Sequence, residues 1–314
     1  MILAGLIAAR FAHYTALLLL FGAAAFTLFA APREDGASQL EPRSPAFPRR
    51  LLLWSSVATL LTALLVLALT AANLTGDLSG ATDLPVLLTI LLDTDFGRVW
   101  LFRLAAAAAL ATSLALAWRR PGSRPAAWLT LIVAGALLTT VALTGHAQTR
   151  TDLLGWVHRA ADAMHLVAAA VWLGALPPFL VLLARPARED ALRTGCLLVR
   201  FHTVGTLAVV ALLLSGLVNS AFLVGEVGAL LTTPYGRLLL VKLALFAVMV
   251  GLAADNRLRL VPRLNAALAA GAAPDRWLAG LRAHIRAEFL LGMGVLLAVA
   301  ALGVMAPAAD AGAR

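Results

Sequence analysis

The stretch HRAADAMHLVAAAVWLG, from His158 to Gly174, places a histidine, an aspartate and a second histidine at the start of a long apolar run. The run stays apolar to about residue 184, which is long enough for a membrane-spanning helix of roughly 20 residues. At about 100° per residue, one face of that helix carries His158, Asp162, His165 and Trp172. The sequence therefore predicts a membrane helix that presents two imidazoles and a carboxylate on one face.

The composition of the whole chain assigns it to the membrane proteins. Of its 314 residues, 61% are hydrophobic and 13% are charged, and the mean hydropathy of +0.91 excludes a soluble globular domain. The net charge of +9 does not indicate a nucleic-acid partner, because the basic residues cluster in short segments between apolar runs. The chain has one cysteine, Cys196, which excludes an internal disulfide and a cysteine-cluster metal site.

The apolar runs predict an all-α polytopic membrane protein with eight transmembrane helices. Each run has the length that a spanning helix needs, and the segments between them are polar. The predicted helices cover approximately residues 4–31, 50–72, 97–118, 126–146, 157–184, 199–224, 236–255 and 284–306.

The distribution of arginine predicts the orientation of these helices. Arginines crowd the first, third, fifth and seventh loops, which places those loops in the cytoplasm. The intervening loops, at 73–96, 147–156 and 225–235, contain a single basic residue, Arg150, and several acidic ones. We therefore expect both termini to face the periplasm.

The chain also contains an internal similarity. The segment DTDFGRVWLFRLA at 93–105 matches TTPYGRLLLVKLA at 232–244, and His13 precedes Gly22 by nine residues as His165 precedes Gly174. The segments ALTGHA and ALGVMA then pair His146 with Met305. These matches predict two parallel four-helix repeats, residues 1–156 and 157–314, related by a pseudo-two-fold axis along the membrane normal. We expect His13 and His165 to lie at the same depth and to face each other across this axis.

Four separate segments resemble the copper resistance protein D family (CopD) of bacterial inner-membrane proteins. They occur in order along the second half of the chain and read ADAMHLVAAAVWLGAL at 161–176, RFHTVGTLAVVALLLSGLVNSAFLV at 200–224, TTPYGRLLLVKLALF at 232–246 and DNRLRLVPRL at 255–264. The resemblance implies a non-enzymatic protein of the inner membrane that moves copper from the periplasm into the cytoplasm. It also implies a small periplasmic copper-binding partner of the CopC type.

Given that resemblance, the polar residues predicted near the outer face are candidate copper ligands. Imidazole and thioether groups suit copper of either valence, whereas hard cations prefer oxygen ligands. The candidate set consists of His13, His146, His158, Asp162, His165 and Met305. With five methionines in the chain, a methionine-rich relay is not predicted.

Each candidate also has an interpretation without a metal. The membrane histidines can instead bond a neighbouring helix, worth about 1 kcal/mol each. Asp162 can pair with Arg159 or orient an imidazole, and His146 can be solvated at the end of its helix.

Five other polar or aromatic side chains are predicted to have structural roles. His202 and His284 lie at cytoplasmic helix ends and are not expected to be ligands, and Trp172 is expected to pack between helices. Arg103 and Lys242, charged inside spans, require carboxylate or carbonyl partners or an anionic group.

The sequence leaves a second function class open. Two histidines at equal depth on facing helices are also what a b-type haem needs for axial ligation, so His13 and His165 could serve transmembrane electron transfer. A relay across the bilayer usually needs a second histidine pair, and the available His202 and His284 are not equivalent in the repeat. The sequence contains no glycine-rich phosphate-binding loop and no other catalytic motif.

Overall fold

The computed structural model describes residues 1–30, 46–116, 124–144, 152–184 and 188–311, and these residues are helical apart from short connections. The helices are α1 (Ile2–Phe29), α2 (Ala46–Thr75), α3 (Leu84–Asp93), α4 (Asp95–Leu116), α5 (Arg124–Thr139), α6 (Leu153–Leu183), α7 (Arg188–Val224), α8 (Ala229–Thr232), α9 (Pro234–Asp255), α10 (Val261–Ala269), α11 (Asp275–Leu302) and α12 (Ala308–Ala311). Eight segments are long and apolar enough to cross a membrane, formed by α1, α2, α4, α5, α6, α7, α9 with α10, and α11. The prediction of an all-α protein with eight candidate spans is confirmed.

Two segments predicted as loops are largely helical. In the first, at 73–96, the chain forms α3, and in the second, at 257–283, α9 continues through a π-helical turn at Asn256–Leu260 into α10. In addition, α11 begins at Asp275, nine residues before the predicted start. Helix α3 is apolar, but at ten residues it is too short to be predicted as a span. For α10 and the start of α11 the reason is different, because an apolar run does not detect amphipathic or charged helix beyond the hydrocarbon.

The helices α4 and α9 begin in the same way. The hydroxyl of Thr94 accepts a hydrogen bond from Gly97 N at 2.9 Å, and the hydroxyl of Thr233 accepts one from Gly236 N at 3.0 Å. A Cβ atom on Gly97 would lie 2.1 Å from the carbonyl oxygen of Ile90, and one on Gly236 would lie 2.3 Å from that of Ala229. Both turns therefore need glycine, because the preceding helix passes too close for any side chain.

The centre of the bundle is the crossing of α1 and α6. A Cβ atom added to Gly22 would lie 2.3 Å from Gly174 Cα, and one added to Gly174 would lie 2.5 Å from Gly22 Cα. One turn further on, the rings of Phe26 and Phe179 meet edge to face with centroids 5.2 Å apart. The two helices are thus in backbone contact, as small residues at membrane helix interfaces allow.

Candidate metal centre

The two histidines of the internal similarity make equivalent contacts. His13 on α1 bonds through Nδ1 to the hydroxyl of Thr62 on α2 at 3.0 Å, and His165 on α6 bonds through Nδ1 to the hydroxyl of Ser215 on α7 at 3.0 Å. Each hydroxyl donates its own proton to the carbonyl four residues earlier, at 2.6 Å from Thr62 and 2.5 Å from Ser215. With the hydroxyl proton directed to that carbonyl, the hydroxyl oxygen accepts from the ring, and this assigns the proton of a neutral imidazole to Nδ1.

This tautomer leaves Nε2 of each ring as the nitrogen with a free lone pair. In His13, which is 1% exposed, Nε2 is buried and has no hydrogen-bond partner among the residues that the structure describes. The ring lies beside Trp100, with centroids 6.0 Å apart. A metal-binding imidazole commonly has this arrangement, in which the second ring nitrogen donates to a protein oxygen and fixes the ring orientation.

Asp162 and His158 occupy the N-terminal half of α6 beside α7. Asn219 donates from Nδ2 to a carboxylate oxygen of Asp162 at 3.3 Å. The ring of His158 is buried and stacks on Phe222, with centroids 4.6 Å apart and an interplanar angle of 8°. The sequence indicated the shared face of α6 but not these partners on α7.

The remaining candidates lie elsewhere or outside the described part. Met305 follows α11 and is half-buried against a small apolar cluster that includes Val224 and Tyr235. His146 lies outside the described residues. Among the residues that are described, no three His, Cys, Asp or Glu side chains form a group that could hold a metal ion.

The charges around the histidines are mostly positive. Arg103 is 1% exposed and donates from Nε to Thr140 at 2.9 Å and from Nη2 to Thr144 at 3.3 Å, with its guanidinium 4.1 Å from the Trp100 ring centroid. The expected carboxylate or carbonyl partners of Arg103 are replaced by two threonine hydroxyls and an indole face. Lys242 instead lies within electrostatic range of Asp162. The negative charge of Asp162 therefore favours the charged form of Lys242.

A second polar group lies at the other end of α6. Trp172 donates from Nε1 to Glu288 Oε2 at 3.2 Å, and Asn256 donates from Nδ2 to Glu288 Oε1 at 2.7 Å. His284 bonds the other side of Asn256 at 3.1 Å. Trp172 and His284 therefore do more than the sequence predicted, since both belong to a hydrogen-bonded chain around a buried carboxyl. The signal missed in the sequence was a single glutamate inside the apolar run of the last helix.

Comparison with known proteins places the chain in a family. The family model described as copper resistance protein D-like, N-terminal domain, matches residues 1–156, and the model described as copper resistance protein D matches residues 196–302. No solved structure matches.

Three relatives align with nearly the whole chain. Copper resistance protein D of Pseudomonas syringae pv. tomato is 34% identical over 98% of both chains, and inner membrane protein YebZ of Escherichia coli K12 is 32% identical over 96% of this chain and 98% of the relative. Copper transport protein CutJ of Bacillus subtilis is 30% identical over 94% of this chain and 52% of the relative. The chain therefore belongs to the copper resistance protein D family.

Proposed function

We propose that this chain is a non-enzymatic, multi-pass protein of the bacterial inner membrane that carries copper from the periplasm to the cytoplasm. The relatives named for copper resistance, copper transport and the inner membrane support the substrate and the location. The observation that carries the proposal is the pair of Nδ1-anchored imidazoles, His13 and His165, whose Nε2 atoms are left as ligand nitrogens. Neutral imidazole is a ligand for copper of either valence.

The proposed site lies between two four-helix repeats, residues 1–156 and 157–314. In support, the starts of α4 and α9 share the same threonine and glycine hydrogen bonds, and the equivalent glycines Gly22 and Gly174 meet at the centre. Gly76 and Gly225, which follow α2 and α7, both have a positive φ, 75° and 71°. Glycines in backbone contact let two halves rock against each other, as parallel-repeat transporters do.

Copper would reach this site from the periplasm. We place His146, His158 and Met305 at the entrance and His13 and His165, with Asp162, at the deeper position. Delivery by a small periplasmic copper-binding protein of the CopC type fits this order. Asp162 would contribute the negative charge that offsets both the incoming ion and the neighbouring Lys242.

Copper uptake into proteoliposomes, together with metal content and an optical spectrum of the purified protein, tests the function. We expect copper to copurify with the chain, no Soret band, and uptake well above that of protein-free vesicles. A Soret band with no copper would instead support the b-type haem alternative at His13 and His165. If the purified protein contains no copper and the proteoliposomes show no copper uptake, the proposal is wrong.

Reporter fusions test the proposed orientation, with both termini in the periplasm. A reporter active only in the periplasm should be active when fused after Gly80 or Glu226 and silent when fused after Gln39 or Gly271. The reason is that the segments containing Gln39 and Gly271 carry many arginines, which are retained on the cytoplasmic side. If the reporter is active when fused after Gly271, the orientation is the opposite of the one proposed, and so is the inferred direction of transport.

A further inference from the structure

Glu288, in the middle of α11, is the one buried acidic side chain in the described ranges, at 2% exposure. Its two carboxyl oxygens accept hydrogen bonds from Asn256 and Trp172, which are both uncharged donors. No lysine, arginine or histidine among the described residues lies within ion-pair distance of it. The copper site proposed above makes no use of this group.

The charged groups nearest to Glu288 are engaged with other partners. On the π-helical turn, Arg257 donates to Thr206 of α7, and Arg259 pairs with Asp255 at 3.0 Å. On α11 itself, His284 lies one turn before Glu288, bonds Asn256 and lies 3.8 Å from Asp255. On α7, His202 lines the same cavity as Glu288. None of these groups supplies a counter-ion to the Glu288 carboxyl.

An open cavity of about 380 Å³ adjoins Glu288 and is lined by α6, α7, α9 with its π-helical turn, the start of α10, and α11. Its walls are mainly apolar, and its polar lining consists of His202, Thr206, Asn256, Arg257 and Glu288. The buried Glu288 and the exposed Arg257 both line it. At about 30 Å³ per molecule it has room for on the order of ten waters.

An ionised carboxylate in these surroundings would be strongly disfavoured, because burial removes water and the two neutral donors replace only part of its solvation. A carboxylic acid is neutral and can keep both hydrogen bonds. Ionisation becomes favourable only when water enters the cavity or when the helices around it move. The π-helical turn marks α9 as the element with irregular packing here, and such turns recur at functional positions.

We propose that Glu288 is a proton-binding site, reached through this cavity, and that its occupancy is coupled to copper at His165. The carboxylate takes a proton from hydronium in the cavity, forming an O–H bond and leaving water, and release reverses that step. Helix α6 connects the two sites, because it carries both His165 and Trp172. Trp172 lies two turns after His165 on the same face and donates the hydrogen bond to Glu288. A shift of α6 on copper binding would weaken the Trp172 bond and admit water to the carboxyl.

Infrared spectroscopy of the purified protein without copper tests the proton site by itself. The carbonyl stretch of a protonated carboxylic acid should be present at neutral pH and lost in Glu288→Gln, while Glu226→Gln, at an exposed glutamate, should leave it unchanged. In Trp172→Phe the band should remain but shift, because one hydrogen bond to the acid is removed. A wild-type spectrum without this band, or a band that persists in Glu288→Gln, would overturn the proposal. If Glu288→Gln does not fold, Trp172→Phe provides the test, and an unshifted band in that variant would overturn the proposal.

The coupling rests on the proposed copper transport and is tested separately. In proteoliposomes with an alkaline interior, copper uptake by the wild type should be faster than without a gradient by roughly fivefold or more, the lower range for coupled sites. The ratio of the two rates should fall to about one in Glu288→Gln. A wild-type ratio of one would overturn the coupling even if the infrared band is present. An absence of uptake under all conditions would count against the transport function instead, and leaves the infrared test valid.

Discussion

The His165→Ala variant is expected to purify with far less copper than the parent protein while remaining inserted in the membrane. Removing an outer hydrogen-bond partner of a metal ligand already lowers metal affinity by roughly 10- to 100-fold, so loss of the ligand itself should lower it further. Alanine is well tolerated in a spanning helix, and the imidazole it replaces is bonded to the hydroxyl of Ser215. Metal analysis of the purified variant, and copper uptake into proteoliposomes, measure the effect.

The equivalent contacts of His13 and His165 extend the prediction to a second variant. His13→Ala should give the same loss as His165→Ala, since each ring is anchored by Nδ1 to one hydroxyl. The variants Thr62→Val and Ser215→Ala keep the imidazole but remove the hydroxyl that accepts its hydrogen bond. They should lower the affinity for copper by a smaller factor, roughly 10- to 100-fold.

His202→Ala is the matched control, because His202 lies on α7 about three and a half turns before Ser215 and lines the cavity beside Glu288. It should retain the copper content of the parent. Full copper content in both His13→Ala and His165→Ala, with loss in His202→Ala, would place the copper site near His202 and refute the proposed ligands.

The parts of this structure that the sequence predicted well are those that depend on hydrophobicity alone. Eight apolar runs gave eight candidate spans, because a helix must satisfy its own backbone hydrogen bonds in hydrocarbon. The face shared by His158, Asp162 and His165 followed from helical periodicity in the same way. Helix α3 was missed because its apolar run of ten residues is too short to cross a membrane, and the extension of α9 was missed because its π-helical turn carries Arg257 and Arg259.

The partners of the polar side chains could not be predicted, because they depend on how each helix is rotated against its neighbours. Thr62 and Ser215 are ordinary hydroxyl residues in the sequence, and only helix packing shows that they orient imidazoles. Arg103 was expected to meet a carboxylate or carbonyl and meets two threonines and an indole instead. Glu288 attracted no prediction, although a carboxyl within an apolar helix is itself an unusual signal.

Gly22→Leu is expected to have the largest effect on stability of any single substitution considered for this chain. A side chain at residue 22 would begin 2.3 Å from Gly174 Cα and 2.6 Å from the carbonyl oxygen of Ala170, and both of these are backbone atoms that cannot rotate away. The helices α1 and α6 would have to separate, which would also pull apart the rings of Phe26 and Phe179. Overpacking of this kind costs about 3 kcal/mol or more. Thermal unfolding and gel filtration in detergent measure the loss.

Gly251→Ala provides the control, because Gly251 lies within α9 and a Cβ atom there would meet no other atom within 4 Å. That variant should be as stable as the parent or slightly more stable, by up to about 1 kcal/mol, since alanine is the better helix former. Gly22→Ala and Gly174→Ala should each destabilise the protein, and the double variant should cost less than the sum of the two. The reason is that both act on one crossing point, and helices already separated by the first Cβ atom have room for the second. If the stability losses of Gly22→Ala and Gly174→Ala are additive, the two glycines do not share a contact. If Gly22→Leu is as stable as the wild type, the backbone contact between α1 and α6 is contradicted.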